Sequence, residues 1–182
     1  MSTPDADLPE EIAWQGKWIT AKKRGRWEYV SRARNIRAAV ILAVDDGDIL
    51  LVEQYRVALG RRVLELPAGL IGDDAGGEND DPLNAAKREL EEETGYQAEH
   101  WEEIGEFCSS PGMTSEGFSL LKATGLKKVS AGGGVEGEDI TVHRIRLAGI
   151  STTIADFRNG DVAIDARLLV ALGPALLGDV VG

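Results

Sequence analysis

The chain has 182 residues, of which 43% are hydrophobic and 28% charged, a balance that argues against disordered and fibrous classes. The longest apolar run, residues 38–44, is too short to cross a bilayer, and the acidic N-terminus lacks the apolar segment of a secretory signal. We therefore expect a cytoplasmic protein without a membrane segment. The lone cysteine, Cys108, fits a reducing compartment.

The formal net charge of −11 is unevenly distributed along the chain. Between Lys17 and Arg37, eight basic residues accompany one acid, Glu28, so a basic N-terminal segment precedes an acidic body. Such a segment fits a nucleic-acid arm, a site for an anionic small ligand, or a solvated hairpin. Composition alone does not choose among these three alternatives.

In chain order, the first predicted element is a hairpin over residues 18–31, where bulky and polar residues alternate around a turn at Gly25. Residues 37–44 and 49–54 are rich in β-branched side chains, and the Asp-Asp-Gly-Asp between them predicts a second hairpin. A short strand over residues 61–66 ends before a proline. Residues 68–81 are mostly Gly, Asp and Asn, which predicts a loop.

The next predicted element is a helix, with Asp81 as its N-cap, Thr94 as its last residue and Gly95 just beyond. Further predicted strands cover residues 101–107, 119–123 and 140–147, and further predicted helices cover residues 152–159 and 165–176. The order of elements predicts an α/β sandwich with a mixed sheet. We divide the chain into an N-terminal β segment, residues 1–36, and a main domain, residues 37–182.

Four glutamates gather near the end of the predicted helix, where the helix dipole disfavours negative charge. On an ideal α-helix Glu89, Glu92 and Glu93 share one arc, whereas Glu91 lies on the far side. A solvated acidic face is one explanation and a metal site is the other, with about even odds from the helix alone. Three hard oxygen donors suit Mg²⁺, or Mn²⁺ as the alternative.

The stretch "RELEEETGY", residues 88–96, resembles the second half of the Nudix box at every specified position. The first half departs from the family pattern, because Asp80 stands in place of a glutamate and the preceding glycine-rich loop is longer. The resemblance implies a Nudix-type α/β/α sandwich with a mixed sheet, preceded by a small N-terminal antiparallel β-hairpin subdomain. It also implies structural roles for Arg88 and Gly95.

Three flanking stretches, "LLVEQYRVALGRRVLELPAGL", "SSPGMTSE" and "GGGVEGEDITVH", resemble the ADP-ribose pyrophosphatase and nucleoside-diphosphate-sugar hydrolase branch. The resemblance implies Mg²⁺-dependent hydrolysis of ADP-ribose or a related sugar nucleotide by a homodimer with exchanged N-terminal strands. It implies catalytic roles for Glu136, as general base, and for Glu93. The implied metal ligands are Ala68 through its carbonyl, Glu89, Glu92, Glu93 and Glu138, and the candidate substrate-binding residues are Arg56, Trp27, Glu116 and Pro111.

Several alternatives remain open at this stage. Arg56 is more often a salt-bridge partner than a phosphate ligand, Trp27 suits core or interface packing, and residues 132–134 form either a hinge or an exposed surface loop. The substrate could be another sugar nucleotide, such as GDP-mannose or ADP-glucose. An RNA-cap hydrolase and a non-catalytic ADP-ribose sensor are weaker alternatives, since the overall acidity argues against nucleic acid.

Overall fold

The structure is a computed structural model that describes residues 4–33, 36–72, 81–135 and 137–173, except for the side chains of Val170 and Ala171. Its strands are β1 (Glu11–Gln15), β2 (Ile19–Arg24), β3 (Trp27–Arg32), β4 (Arg37–Asp45), β5 (Asp48–Arg56), β6 (Arg61–Glu65), β7 (Ala68–Ile71), β8 (Tyr96–Cys108), β9 (Gly117–Lys128), β10 (Thr141–Arg146) and β11 (Ala163–Ile164). Its helical segments are α1 (Pro82–Glu89), a π-helical turn (Leu90–Thr94), α2 (Ile150–Asn159) and α3 (Ala166–Ala171). None of the helices in this described part has the length and apolarity of a membrane span.

The N-terminal segment forms a three-stranded antiparallel sheet in the order β1-β2-β3. The predicted hairpin corresponds to β2 and β3 and turns at Gly25, whose φ is 58°. The outer strand β1 was not predicted. This sheet joins the main domain through backbone hydrogen bonds from Val30 N–H to the Met113 carbonyl, 2.9 Å, and from Ser115 N–H to the Val30 carbonyl, 3.0 Å.

The main sheet runs β11-β6-β5-β4-β9-β8, with β7 also paired to β4 and β10 to β5. The β4–β9 and β11–β6 pairs are parallel and the others antiparallel, so the predicted mixed sheet is confirmed. Strands β4 and β5 pair only at their hairpin, through Val44↔Ile49 and Asp45↔Asp48. The sheet therefore has a β4 half (β7, β4, β9, β8) and a β5 half (β10, β5, β6, β11).

Apolar clusters cover both faces of the sheet, because alternate side chains of a strand point to opposite faces. On β4, Val40 and Leu42 belong to one cluster, and Ala39 and Ile41 belong to the other. Helix α1 and the π-helical turn pack on the second cluster, whereas α2 and α3 pack on the first. The predicted α/β/α sandwich is confirmed.

The structure corrects the predicted helix. It is α-helical only to Glu89, and the i→i+5 bonding of residues 90–94 accommodates one more residue per turn than an α-helix does. Gly95 ends it in the left-handed conformation with φ 77°. Strand β7 also lies where a loop was predicted, and the predicted helix beyond residue 173 falls outside the described residues.

Gly95 offers a direct test of this helix end. Its carbonyl accepts hydrogen bonds from the N–H groups of Val129 and Ser130, and a Cβ there would overlap the Ser130 carbonyl oxygen. Gly60 also has a positive φ, 66°, but has no heavy atom within 4 Å of such a Cβ. We expect Gly60→Ala to cost about 1–2 kcal/mol of unfolding free energy from backbone strain, and Gly95→Ala about 3 kcal/mol or more from strain plus overlap. Urea denaturation measures both, and equal losses would contradict the packing at Gly95.

Candidate active site

A cavity of about 810 Å³ lies between the two halves of the sheet, the helix end and the C-terminal segment. Most of its charged lining residues are acidic, and guanidinium groups are interspersed among them. The charged residues of its lining are Arg32, Arg56, Glu65, Glu89, Glu93, Glu116, Glu138, Asp165 and Arg167. Alternating charge of this kind suits a polar ligand that carries both anionic and hydroxyl groups.

Glu93 is the buried carboxylate of this cavity, with only 5% of its surface exposed. Burial raises the pKa of the Glu93 carboxyl to about 8, and the charges of Glu89 and Glu138 act in the same direction. The Ala68 N–H, which donates to Glu93 Oε2 at 3.0 Å, and the charge of Arg56 act against that rise. Below about pH 8 this pKa keeps the Glu93 carboxyl mostly protonated, so a cation that binds there would displace a proton.

Ala68 contributes backbone groups to the same place. The Ile41 N–H donates to the Pro67 carbonyl at 2.9 Å, which makes the adjacent Val40↔Ala68 pair a non-hydrogen-bonded pair. Both the N–H and the carbonyl of Ala68 therefore point away from β4. The carbonyl predicted as a metal ligand lies on the same strand edge as the N–H that binds Glu93.

Glu89 lies directly over Gly69, the next residue of β7. A Cβ at position 69 would overlap the Glu89 carboxyl group, so glycine there leaves room for this position of the Glu89 side chain. An Arg88 Nη2 atom lies 3.7 Å from Glu89 Oε1, which is consistent with an orienting role for Arg88. Glu89 and Glu93, four residues apart, thus both face the cavity.

Glu92 does not join them, because its side chain is exposed and is absent from the cavity lining. The wheel that grouped it with Glu89 and Glu93 assumed an α-helix, and the π-helical turn changes the angular positions after Glu89. Across the residues that the structure describes, no group of three or more His, Cys, Asp or Glu side chains is close enough to hold a metal ion. Four of the five predicted metal ligands therefore line one cavity, namely Ala68, Glu89, Glu93 and Glu138.

The glycine-rich segment 132–134 is hydrogen-bonded to the helix end. Gly133 N–H donates to the Glu93 carbonyl at 2.8 Å, and Gly134 N–H donates to the Glu92 carbonyl at 2.9 Å. These bonds satisfy carbonyl groups that a helix terminus leaves without partners. Beyond them, Glu138 Oε2 accepts from Val135 N–H at 3.1 Å. The predicted general base, Glu136, lies outside the described residues.

Two arginines of the cavity are held by carboxylates. Arg56 donates through Nε and Nη2 to both oxygens of Glu65, each at 2.7 Å, and Arg32 pairs with Glu116. Arg56 is therefore a salt-bridge partner and a lining residue at once. Glu65 is 2% exposed, so the pair fixes the guanidinium in place.

The other two predicted substrate-binding residues lie in a different cleft. Trp27 and Pro111 line a cavity of about 560 Å³ between the N-terminal sheet and residues 111–115, together with Tyr29. Trp27 is half exposed, so its ring is available for stacking. The predicted substrate residues are thus divided between two neighbouring cavities, Arg56 and Glu116 in one and Trp27 and Pro111 in the other.

Sequence analysis missed the charged residues that the C-terminal segment brings to the cavity. The two-residue strand β11 pairs in parallel with β6, which places Asp165 and Arg167 beside Glu65. A strand of two residues has no detectable periodicity, so the pairing carries no local sequence signal. Glu65, the last residue of β6, was also not predicted as a site residue.

The oxygen donors that line the cavity are of the kind that bind divalent cations. Glu89, Glu93, Glu138 and the Ala68 carbonyl offer hard oxygen atoms, which Mg²⁺ and Mn²⁺ prefer. Glu93 is in addition a buried carboxyl group, and the positive charge near it among the described residues is too small to keep its pKa at the ordinary value. The donor chemistry therefore fits a divalent cation, although the described carboxylates are not gathered closely enough in this structure to hold one.

Comparison with known proteins identifies the class. Residues 33–119 match the family profile described as NUDIX domain, and the resemblance of "RELEEETGY" to the Nudix box is confirmed. A solved structure titled "Crystal structure of ADP compounds hydrolase" superposes with a TM-score of 0.64 at 22% identity, covering 81% of each chain. At that identity the match supports the fold.

Several curated proteins are similar to this chain. It is 45% identical over 93 residues to the ADP-ribose pyrophosphatase of Mycobacterium tuberculosis, covering 50% of this chain and 43% of that protein. It is 40% identical over 109 residues to the methanol dehydrogenase activator of Bacillus methanolicus, covering 60% of this chain and 56% of that protein. It is 30% identical over 122 residues to the GDP-mannose pyrophosphatase of Citrobacter koseri, covering 63% of this chain and 59% of that protein. The chain spans about half the length of these relatives.

The raised pKa of Glu93 makes a prediction for the metal-free protein. Its folded pKa of about 8 exceeds the ordinary value of 4.5, so its contribution to stability is fully present below pH 4.5 and is lost as the pH rises through 8. Glu93→Gln removes this loss and keeps an acceptor for the Ala68 N–H. In chelator at pH 9, we expect the variant to exceed wild type by roughly 3–5 kcal/mol of unfolding free energy, and by less than about 1 kcal/mol at pH 5.

Urea denaturation at both pH values measures this difference. Glu91→Gln is the matched control, because Glu91 accepts from Gln97 Nε2 at 2.8 Å and does not line the cavity. A Glu93→Gln variant that is no more stable than wild type at pH 9 would show that this carboxyl ionises without cost.

Proposed function

We propose that this protein hydrolyses the diphosphate bond of a nucleoside diphosphate sugar, with ADP-ribose as the favoured substrate, to a nucleoside monophosphate and a sugar phosphate. The observation that carries the proposal is the burial of Glu93 beside Ala68, with Glu89 and Glu138 on the same cavity. That arrangement gathers oxygen donors where a diphosphate could enter. Arg56, held by Glu65, adds a cation close enough to Glu93 to influence its pKa.

The chemistry requires water as the nucleophile. Its oxygen bonds to one phosphorus, the bond from that phosphorus to the bridging oxygen breaks, and the bridging oxygen leaves on the other phosphate. Divalent cations, Mg²⁺ in this proposal and Mn²⁺ as the alternative, would when bound neutralise the diphosphate and acidify the water. Glu89, Glu93, Glu138 and the Ala68 carbonyl would hold them, and Glu92 would join only if its side chain turned inward.

In the same proposal Glu136 accepts the proton of the attacking water, a step typically worth about 10²- to 10⁴-fold in rate. Its neighbour in sequence, Glu138, lies on the cavity wall. The two carboxylates could exchange roles. A general base must reach the attacking water, and Glu138 borders the cavity that the diphosphate would enter.

The names of the relatives support the substrate class. Proteins named ADP-ribose pyrophosphatase, ADP-sugar pyrophosphatase and GDP-mannose pyrophosphatase are similar to this chain over 93, 125 and 122 residues, respectively. All three names denote cleavage of a nucleotide joined to a sugar. We propose a cytoplasmic location for the enzyme, in keeping with the lone exposed Cys108.

The test is a panel of nucleotide sugars, dinucleotides and capped RNA incubated with Mg²⁺, with the products identified by chromatography. We expect ADP-ribose to give AMP and ribose 5-phosphate, and Glu93→Gln to lower kcat at least about 100-fold. The control Glu91→Gln should keep wild-type kcat. The account fails if wild type cleaves none of the sugar nucleotides, or if Glu93→Gln retains full activity.

We further propose a homodimer in which the N-terminal segment, residues 1–36, contacts the partner. Strand β1 is exposed along its whole length, and it presents Ile12 and Trp14, which are 61% and 57% exposed, on an edge of its sheet. Trp14 packs over Gly16, where a Cβ would overlap the indole ring. An exposed apolar edge of this kind is suited to contact with a second chain.

Substitution of this strand tests the dimer. Ile12→Asp and Trp14→Asp should convert the dimer to monomer at micromolar concentration in sedimentation experiments, because each introduces a charge into the contact. Val57→Asp, at an exposed residue outside the N-terminal segment, is the control and should leave the dimer intact. Wild type that sediments as a monomer, or variants that remain dimeric, would contradict this proposal.

A further inference from the structure

The C-terminal segment brings Asp165 and Arg167 to one wall of the large cavity, and both residues lie outside the range that matches the NUDIX profile. We call Glu65, Asp165 and Arg167 the C-terminal wall. Glu65 is a buried residue at the end of β6, and the other two follow β11. Neither the motif nor the family match assigns a function to Asp165 or Arg167.

Backbone pairing fixes the position of this wall. Ala163 pairs with Val63 and Ile164 pairs with Leu64 in parallel register, and the Asp165 N–H donates to the Leu64 carbonyl at 3.0 Å. One turn further on, Leu168 is fully buried in the core. The segment is therefore held on both sides of Arg167.

Arg167 is oriented by two carboxylates. Its Nε lies 3.0 Å from both oxygens of Asp165, and its Nη2 lies 2.5 Å from Asp165 Oδ2 and 3.4 Å from Glu65 Oε2. The backbone N–H of Arg167 also donates to Asp165 Oδ1 at 2.7 Å. The Nη1 group makes no hydrogen bond to any described residue, and 26% of the side chain is exposed. A fixed guanidinium with an unused donor group thus borders the cavity.

The charges of the wall and of Arg56 balance. Two guanidinium groups, Arg56 and Arg167, face two carboxylates, Glu65 and Asp165, and Glu65 contacts both arginines. A neutral array of donors and acceptors attracts a further phosphate weakly. It matches adjacent hydroxyl groups, which both donate and accept hydrogen bonds.

The position of the wall indicates which part of the substrate it meets. Arg56 links it to the diphosphate site, because Arg56 binds Glu65 and its charge lowers the pKa of Glu93. The aromatic cleft of Trp27 and Pro111 adjoins the β4 half of the sheet, through the segment that precedes β9. The C-terminal wall belongs to the β5 half. A base in the aromatic cleft would therefore leave the sugar on the side of Arg167.

We propose that Arg167 is a specificity-determining residue that donates hydrogen bonds to the hydroxyl groups of the sugar on the far side of the diphosphate. Asp165 and Glu65 are positioning residues that hold its guanidinium in place. This inference rests on the proposed hydrolysis of nucleotide sugars and adds to it the means by which the sugar is recognised.

The test separates the sugar from the nucleotide. Arg167→Met should raise KM for ADP-ribose about 10- to 100-fold, the range expected for a lost hydrogen bond to a charged group, and should change kcat less than about threefold. The inhibition constant of ADP, which has no sugar beyond its diphosphate, should stay within about twofold of the wild-type value. An unchanged KM for ADP-ribose, or an equal weakening of inhibition by ADP, would overturn the proposal.

Matched variants distinguish recognition from folding. Arg146→Met removes an arginine that is likewise paired with an aspartate, Asp48 at 2.9 Å, but lies outside the cavity, and it should leave KM unchanged. Arg167→Lys keeps the charge and should recover only part of the affinity, because lysine lacks the planar fork. If Arg167→Met unfolds below the assay temperature, Arg167→Lys carries the test, and wild-type KM in it would overturn the proposal.

The positioning role of Asp165 has its own readout. Asp165→Asn should raise KM for ADP-ribose by a smaller factor than Arg167→Met, without changing inhibition by ADP. The double variant Asp165→Asn with Arg167→Met should be no worse than Arg167→Met alone, since the aspartate acts through the arginine. Additive losses in KM would contradict that role.

Binding experiments keep this inference separate from the proposed activity. If wild type hydrolyses no nucleotide sugar, the proposed function fails, and calorimetry with ribose 5-phosphate and with AMP still tests Arg167. Weaker ribose 5-phosphate binding in Arg167→Met, with AMP binding retained, would support sugar recognition. Equal binding of ribose 5-phosphate to both proteins, or no binding to wild type, would overturn it.

Discussion

The site depends on a carboxylate that is buried before any cation is present. Glu93 is withdrawn from water between β7 and the helix end, and among the described residues the Ala68 N–H and the nearby Arg56 partly compensate its charge. A bound divalent cation would offset the energetic cost of ionising it, so metal binding and release of this proton are coupled. Glycine at position 69 lets Glu89 approach the same strand, so a second carboxylate shares this setting.

The backbone ties the separate parts of the cavity together. The carbonyl groups of Glu92 and Glu93 accept hydrogen bonds from the glycine segment that leads to Glu138, so the helix end and the acidic loop share one hydrogen-bonded junction. The sequence suggested that these glycines serve as a hinge or form a surface loop. Their positive φ angles of 69°, 104° and 80° instead let three consecutive residues follow the end of the helix closely.

Much of the fold could be predicted from local sequence patterns. Apolar runs identified β4 and β5, the turn residues identified both hairpins, and Asp81 with Gly95 bounded the helix. The π-helical turn could not be predicted, because an i→i+5 turn differs from an α-turn in hydrogen bonding and hardly in composition. That one difference separates Glu92 from Glu89 and Glu93. Arg167 was missed since its place depends on a two-residue strand paired with residues about 100 positions earlier.

The most direct test of the central claim is the number of protons released when Mg²⁺ or Mn²⁺ binds. Isothermal calorimetry in two buffers of different ionisation enthalpy measures that number. With the pKa of Glu93 near 8, the carboxyl is mostly protonated at pH 7, so binding should release about one proton per chain, falling toward zero at pH 9.5 and absent in Glu93→Gln. Metal binding at pH 7 without proton release would contradict the account.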